Sequence, residues 1–278
     1  MVGVGRATSP RAGWAVSEIT ILNCDCMALD TDLVATFDTM IVDPPYREHV
    51  HKSAVSQSPK GGVRARGLGF EHLSDELRAS IACYAGLVKR WSIIYSDAES
   101  LNLWKDACEQ AGAKYIRPVP WVRWSMPQLS GDRPTTGWEL LTCYWGSQKG
   151  KKSWNGPGNL IKYAHEEDCD VPLDLLEHKC LRGSEKHRTE KPLDQALDLV
   201  EFFSDPGDIV FDPTAGSGTT ALACALLDRD FVGCELDEKW ADFATERVRL
   251  FQEEQKLSDR DAERFGRYFE AKKKRDAA

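Results

Sequence analysis

The chain has 278 residues, of which 42% are apolar, so it holds enough hydrophobic material for a folded domain and wholesale disorder is excluded. Its longest apolar run, Ala221–Leu227, covers seven residues, whereas a membrane-spanning helix needs about twenty, so no membrane partner is predicted. The net charge of −8 by itself argues against a nucleic-acid partner. Two basic stretches weaken that argument, since residues 47–66 carry five Lys or Arg against one acid and residues 147–165 carry four against none. Nine cysteines without a hydrophobic leader indicate free thiols in a reducing cytoplasm.

Short apolar strands alternate with helices along most of the chain. This alternation predicts a parallel sheet covered by helices on both faces, with ligands bound outside the carboxyl ends of the strands. In chain order, the predicted elements are strands Ile19–Leu22 and Met40–Val42, helix Asp75–Lys89 capped by Ser74, strand Trp91–Tyr95, helix Ala98–Gln110, strands Tyr115–Trp124 and Glu139–Trp145, helix Pro192–Phe203, strand Ile209–Phe211, helix Thr219–Leu227, strand Phe231–Cys234 and a helix from Glu238 to about Lys256.

The segment 146–186 interrupts this alternation and lacks clear periodicity. Trp154 in its Gly- and Lys-rich part is a candidate for contact with a nucleic acid, against the simpler interpretation of core packing. No metal site is predicted, because the candidate ligands match no common zinc-site spacing; they are His165, Cys169, His178 and Cys180.

A small-residue loop, Phe211–Thr220, leads from a predicted strand into a predicted helix. Gly216 and Gly218 would allow a ligand to approach the backbone closely. Asp212 places a carboxylate at the strand end, and Glu235 ends the next strand, where an acid can bind ribose hydroxyls. The loop lacks both the Gly-x-Gly-x-x-Gly pattern of dinucleotide sites and the Gly-Lys-Ser/Thr of phosphate-binding loops. It therefore favours a nucleoside with an amino acid end, such as S-adenosylmethionine.

The sequence Asp43-Pro44-Pro45-Tyr46 follows the apolar strand that contains Ile41 and Val42. Its two prolines end the strand and stiffen the turn, so the Asp43 carboxylate and the Pro44 carbonyl can face one point. Tyr46 offers a flat ring for stacking. Two acceptors beside an aromatic ring suit a planar base that bears an exocyclic amine, whereas the alternative is a rigid turn with an exposed tyrosine.

Together these residues resemble the DNA amino-methyltransferases, which methylate adenine at N6 or cytosine at N4. The catalytic motif precedes the cofactor loop, and this order resembles the circularly permuted β class. The resemblance spans about residues 18–250. Asp43–Tyr46 is similar to the family's catalytic motif, Phe211–Thr220 to its S-adenosylmethionine loop, Phe231–Glu235 to the strand with the ribose acid, His187–Pro192 to the segment before the cofactor loop, and Asn23–Asp25 to a short strand-end motif.

The resemblance implies an α/β fold with a doubly wound, Rossmann-like methyltransferase sheet and a small inserted target-recognition region. The basic stretches fall in 47–72 and 146–186, which are the candidate recognition loops. The expected organisation is a flexible arm at 1–17, a methyltransferase domain at 18–256 and a charged tail at 257–278.

The resemblance also implies a function, namely site-specific transfer of a methyl group from S-adenosylmethionine to adenine N6 in duplex DNA, with the base flipped out of the helix. This is the activity of a cytoplasmic, DNA-associated protein of a prokaryote or phage. No metal is needed, because the sulfonium is already activated. Helix capping is an equal alternative for Thr219. The implied catalytic residues are Asp43, Pro44, Pro45 and Tyr46, and the implied cofactor residues are Asp212, Thr214, Gly216, Gly218, Thr219, Thr220 and Glu235, with Lys191 and Asp25 nearby.

Several alternatives stay open at the level of sequence. Cytosine N4 is the first, although cytosine enzymes more often have Ser at the position of Asp43. An RNA or protein methyltransferase is disfavoured by motif order and by Asp43, where those families commonly have Asn. A catalytically idle DNA-binding protein is the third alternative. A homodimer and a cognate restriction endonuclease are both compatible with the resemblance.

Overall fold

The computed structural model of the chain describes most of the predicted domain. The predicted arm, most of both candidate recognition loops, His187 and the four candidate zinc ligands lie outside the described residues. Those described are 17–47, 55–57, 63–65, 72–122, 138–150, 152–156, 176–177 and 190–276.

Ten strands are described, and eight of them form one mixed sheet in the order β1-β10-β9-β2-β5-β7-β6-β8. The five strands from β1 to β5 in this order run parallel, whereas β7 is antiparallel to both β5 and β6. The strands are β1 (Ile19–Asn23), β2 (Thr39–Val42), β3 (Val55–Gln57), β4 (Val63–Ala65), β5 (Trp91–Ser96), β6 (Lys114–Val122), β7 (Trp138–Trp145), β8 (Leu176–Glu177), β9 (Ile209–Asp212) and β10 (Asp230–Glu235).

Helices cover both faces of this sheet, as the sequence predicts. Side chains of β5 alternate between the two faces, so Ile93 and Tyr95 join one apolar cluster while Ile94 joins the other. The helices are α1 (Thr31–Val34), α2 (Asp75–Leu87), α3 (Leu101–Gln110), α4 (Leu193–Phe203), α5 (Thr219–Leu226), α6 (Glu238–Glu254) and α7 (Asp259–Asp276), and short 3-10 turns lie at Cys26–Ala28 and Ala98–Ser100. Across the described ranges, no helix combines the length and apolarity needed to cross a membrane.

The predicted α/β sheet with helices on both faces is confirmed, with three corrections. The sheet is not parallel throughout, because the consecutive strands β6 and β7 pair as an antiparallel hairpin. Trp154 is partly buried and packs against the core, with its ring centroid 4.8 Å from that of Phe203. The predicted charged tail is largely the helix α7, which packs on α4 through the buried Tyr268 and the pairing of Arg264 with Asp194.

The sheet order explains why two motifs that are far apart in the chain meet. Strand β2, which precedes Asp43, pairs in parallel with β9, which ends at Asp212, with Met40 opposite Phe211. The carboxyl ends of both strands therefore lie side by side. On the other side of β9, strand β10 ends at Glu235, opposite Asn23 at the end of β1.

Candidate active site

The loop after β9 has a conformation that requires its two glycines. Asp212 begins it, and its carboxylate accepts a hydrogen bond of 3.0 Å from the Thr214 amide. Gly216 and Gly218 have φ angles of +53° and +72°, a region that favours glycine. At Gly218 a Cβ atom would also lie 2.7 Å from the Cβ of Ala244, so no side chain fits against α6. The small residues thus allow the loop to turn tightly into α5.

Glu235 links the ends of three segments at this edge. Its carboxylate accepts hydrogen bonds from the amides of Gly216, at 2.8 Å, and Asp237, at 2.9 Å. The side-chain amide of Asn23 donates to the backbone carbonyl of Glu235 at 3.0 Å, which fixes the end of β1 beside it. Asp25 follows two residues later, is exposed, and accepts from the Met27 amide at 2.9 Å. Three predicted cofactor acids are therefore brought to one edge of the sheet: Asp25, Asp212 and Glu235.

The electrostatic character of this edge is strongly negative. Burial, together with the neighbouring charges of Asp43 and Glu235, raises the pKa of Asp212 to about 7 against the opposing hydrogen bonds from the Thr214 amide and the Thr220 hydroxyl. The charges of Asp43 and Glu235 act on Asp212 in the same direction as burial, so a positive charge beside Asp212 would be favourable. The site is therefore suited to a ligand that brings a cation, and a phosphate would be repelled.

The catalytic motif is in direct contact with this loop. The Thr214 hydroxyl donates a hydrogen bond of 3.1 Å to the backbone carbonyl of Asp43. The Leu73 amide donates to the Tyr46 carbonyl at 3.0 Å, and Arg47 forms a 3.0 Å ion pair with Asp97. Pro44 is buried and holds the turn between these anchors. The two predicted motifs therefore form one site.

A cluster that the sequence did not predict surrounds the Asp43 carboxylate. Lys191 Nζ lies 3.0 Å from Asp43 Oδ1 and 3.3 Å from Glu139 Oε2. The Tyr46 hydroxyl donates to the same Glu139 oxygen at 2.8 Å. Three aromatic rings face the Lys191 ammonium, with centroids at 4.7 Å for Tyr95 and 5.6 Å for both Tyr46 and Trp121. We call this group the Lys191 cluster; it consists of Asp43, Tyr46, Tyr95, Trp121, Glu139 and Lys191.

The antiparallel β7 explains how Glu139 reaches this place. Because β7 runs against β5, its first residues lie at the edge where β2 and β5 end, and Glu139 pairs across the sheet with Trp121 on β6. Burial raises the pKa of Tyr95 well above its usual value, so its hydroxyl stays protonated. For Glu139, the one signal in the sequence was an acid at the start of an otherwise apolar strand. Spacing alone did not assign this acid to the site.

Three more of the predicted cofactor residues have partners within the protein. The buried Thr219 hydroxyl accepts from Arg247 at 3.2 Å, and the helix cap is Gly218, so the side chain of Thr219 helps to join α5 to α6. The Thr220 hydroxyl hydrogen-bonds to Asp212. Lys191 belongs to the cluster around Asp43, and its contact with a cofactor remains a prediction.

The residues present fit S-adenosylmethionine. The acids at the strand ends can pair with its cationic groups, Glu235 supplies a carboxylate that could accept from ribose hydroxyls, and the loop residues 212–220 contain no Lys or Arg that would attract phosphates. Within the described ranges, no three His, Cys, Asp or Glu side chains are grouped to hold a metal.

Comparison with known proteins agrees with this geometry. The family model described as DNA methylase matches residues 37–246. M.HinfI, a type II methyltransferase of Haemophilus influenzae, is 36% identical over 254 residues, which cover 83% of this chain and 68% of that protein. The orphan methyltransferase M.BamHII of Bacillus amyloliquefaciens is 42% identical over 66 residues, 24% of this chain, and this match spans only 25% of that relative. The crystal structure of the M1.HpyAVI–SAM complex has a TM-score of 0.60 at 26% identity, covering 82% of this chain and 99% of that one.

Proposed function

The chain belongs to the DNA methylase family, and we propose that it transfers the methyl group of S-adenosylmethionine to the exocyclic N6 of adenine in a short duplex DNA site. One observation carries the proposal. The Asp43 backbone is hydrogen-bonded to Thr214 of the cofactor loop at 3.1 Å, so an amine that binds Asp43 would lie next to the cofactor.

The reaction requires the protein to activate the exocyclic amine of adenine, which is a poor nucleophile. The lone pair of the adenine amine is delocalised into the ring, and acceptors that draw its hydrogens out of plane would localise it. We assign this role to Asp43 and the Pro44 carbonyl. When bound, S-adenosylmethionine supplies a methyl group on a sulfonium sulfur that leaves as a neutral thioether. The amine loses one proton, either to Asp43 or to solvent after transfer, and positioning supplies much of the rate.

The target amine lies inside the duplex, so the base must flip out of the stack at a cost of a few kcal/mol. The Tyr46 ring is available for stacking, and the hydrogen bond of its hydroxyl to Glu139 fixes the orientation of the ring. The basic residues of 47–72 and 146–186 would offset the cost by binding phosphates. We also propose, from the family, that a homodimer recognises the DNA site and that a cognate restriction endonuclease is a partner.

Cytosine N4 is the second candidate, because the family acts on both exocyclic amines. Asp43 favours adenine, since the cytosine enzymes more often have Ser there. The same two acceptors would serve either amine, and the choice depends on the shape of the pocket around the ring.

Nucleoside mass spectrometry tests the proposal. Purified protein would be incubated with S-adenosylmethionine and unmethylated DNA of mixed sequence, beside Asp43→Ala and, as a matched control, Asp242→Ala at an exposed position on α6. We expect N6-methyladenine with the wild type and with Asp242→Ala, and none with Asp43→Ala, although that variant still binds the cofactor. Detection of N4-methylcytosine instead would show that cytosine, and not adenine, is the substrate base. Normal methylation by Asp43→Ala would overturn the assignment of the site.

A further inference from the structure

Lys191 pairs with the carboxylate that the target base needs. Its ammonium lies 3.0 Å from Asp43 Oδ1, one of the two oxygens of the carboxylate that would accept the exocyclic amine in the proposed reaction. The side chains of both residues are largely buried, with 14% of Lys191 and 24% of Asp43 exposed. The base and the ammonium are therefore competitors for one carboxylate, provided that the proposed function holds.

The ammonium has a second carboxylate within reach. Glu139 Oε2 lies 3.3 Å from Lys191 Nζ, and the Glu139 side chain is also only 14% exposed. The Tyr46 hydroxyl holds that oxygen at 2.8 Å, so Glu139 does not depend on Lys191 for its position. A small tilt of the ammonium would thus release Asp43 and keep one ion pair.

We propose that Glu139 is a positioning residue for base entry, which retains the Lys191 ammonium while the target amine takes its place on Asp43. An ammonium left among aromatic rings without a carboxylate is costly, because its lost hydration is not replaced. The rings of Tyr46, Tyr95 and Trp121 keep the cation near Glu139 as it tilts. Glu139 thereby lowers the free-energy cost of moving the Lys191 ammonium off Asp43, and the ammonium stays in the cluster.

The amide variant tests this role. Glu139→Gln keeps an oxygen for the Tyr46 hydroxyl but removes the charge, so Lys191 would stay on Asp43 and compete with the base. We expect the single-turnover methylation rate at saturating DNA to fall by about tenfold, the lower end of what loss of a charge-assisted hydrogen bond produces. The Kd of S-adenosylmethionine and the Tm are expected to stay at the wild-type values. Glu109→Gln, at an exposed position on α3, serves as the matched control.

The double variant separates positioning from a structural role. In Glu139→Gln with Lys191→Met the competitor is gone, so we expect the fraction of flipped base, rather than the methylation rate, to recover relative to Glu139→Gln. Glu139→Asp keeps the charge and is expected to stay closer to the wild-type rate than Glu139→Gln. If the amide variant does not fold, a Glu139→Asp rate lowered by about tenfold or more would contradict the role of the charge. With 2-aminopurine at the mapped target position, fluorescence should report less flipped base in Glu139→Gln and recovery in the double variant.

The outcomes distinguish this inference from the proposed function. A wild type that methylates no DNA would contradict the function itself. A wild type that methylates DNA, together with an unchanged Glu139→Gln rate, would contradict the inference alone. A double variant with no more flipped base than Glu139→Gln would also overturn it, because Glu139 would then not act through Lys191.

Discussion

Cofactor affinity should depend on pH through Asp212. Burial raises the pKa of Asp212 to about 7, with the charges of Asp43 and Glu235 acting in the same direction. A cationic ligand binds the ionised form, so below pH 7 binding must first remove a proton. With this pKa, about 9% of Asp212 is ionised at pH 6 and about 91% at pH 8 in the free protein. The apparent Kd of S-adenosylmethionine should therefore be about tenfold weaker at pH 6 than at pH 8.

Isothermal titration calorimetry measures both the affinity for S-adenosylmethionine and the number of protons released on binding. Titrations at pH 6, 7 and 8, in two buffers of different ionisation enthalpy, should show release of nearly one proton at pH 6 and almost none at pH 8. In Asp212→Asn the pH dependence should disappear, and the affinity at pH 8 should fall by about tenfold or more, because a charge-assisted hydrogen bond is lost.

Asp242→Asn is the matched control, since Asp242 is exposed on α6, and it should keep the wild-type pH dependence. A wild-type Kd that is constant from pH 6 to pH 8, with the protein folded throughout, would refute the reasoning. It would mean either that Asp212 is ionised at pH 6 or that it does not meet a cationic part of the ligand.

Three further predictions concern stability and are measured by denaturant unfolding. Gly218→Ala should lower the free energy of unfolding by about 2 kcal/mol, because φ is +72° and the new Cβ would clash with Ala244; no loss would contradict the close packing. Gly266→Ala, inside α7 with nothing within 4 Å of the new Cβ, should instead raise it by about 0.5–1 kcal/mol, and a decrease would contradict the open surroundings. Arg264→Met should lower it by about 3–5 kcal/mol, because Asp194 is left buried without its partner, and a loss under about 1 kcal/mol would show that α7 contributes little.

The sequence was sufficient for the parallel half of the sheet and for the two motifs. Strand β2 is buried along its whole length and is followed by two prolines, so both its position and its end could be read from the residue types. The cofactor loop followed from the glycines and from Glu235 at the end of the next strand. These features are local, and the parallel order of strands then brings their ends together.

Helix α7 could not be predicted, because its contacts are specific and distant. Its surface is highly charged, and it is held partly by Arg264 and Arg275, which pair with Asp194 and Asp198 on α4 about seventy residues earlier in the chain. A charged sequence predicts solvent exposure unless the opposite charges are known to be nearby. The pattern of residues does not contain that information.

The same helix has a consequence for the active site. Glu190, directly before Lys191, is 6% exposed and pairs with Arg247 of α6 at 3.2 Å and with Arg260 of α7 at 3.1 Å. The backbone at Lys191 is thus anchored to the two C-terminal helices, while its ammonium lies between Asp43 and Glu139. An anchored backbone restricts any movement to the side chain. The exchange of Asp43 for Glu139 that we propose would therefore be a movement of the Lys191 side chain alone, with its charge kept in the cluster.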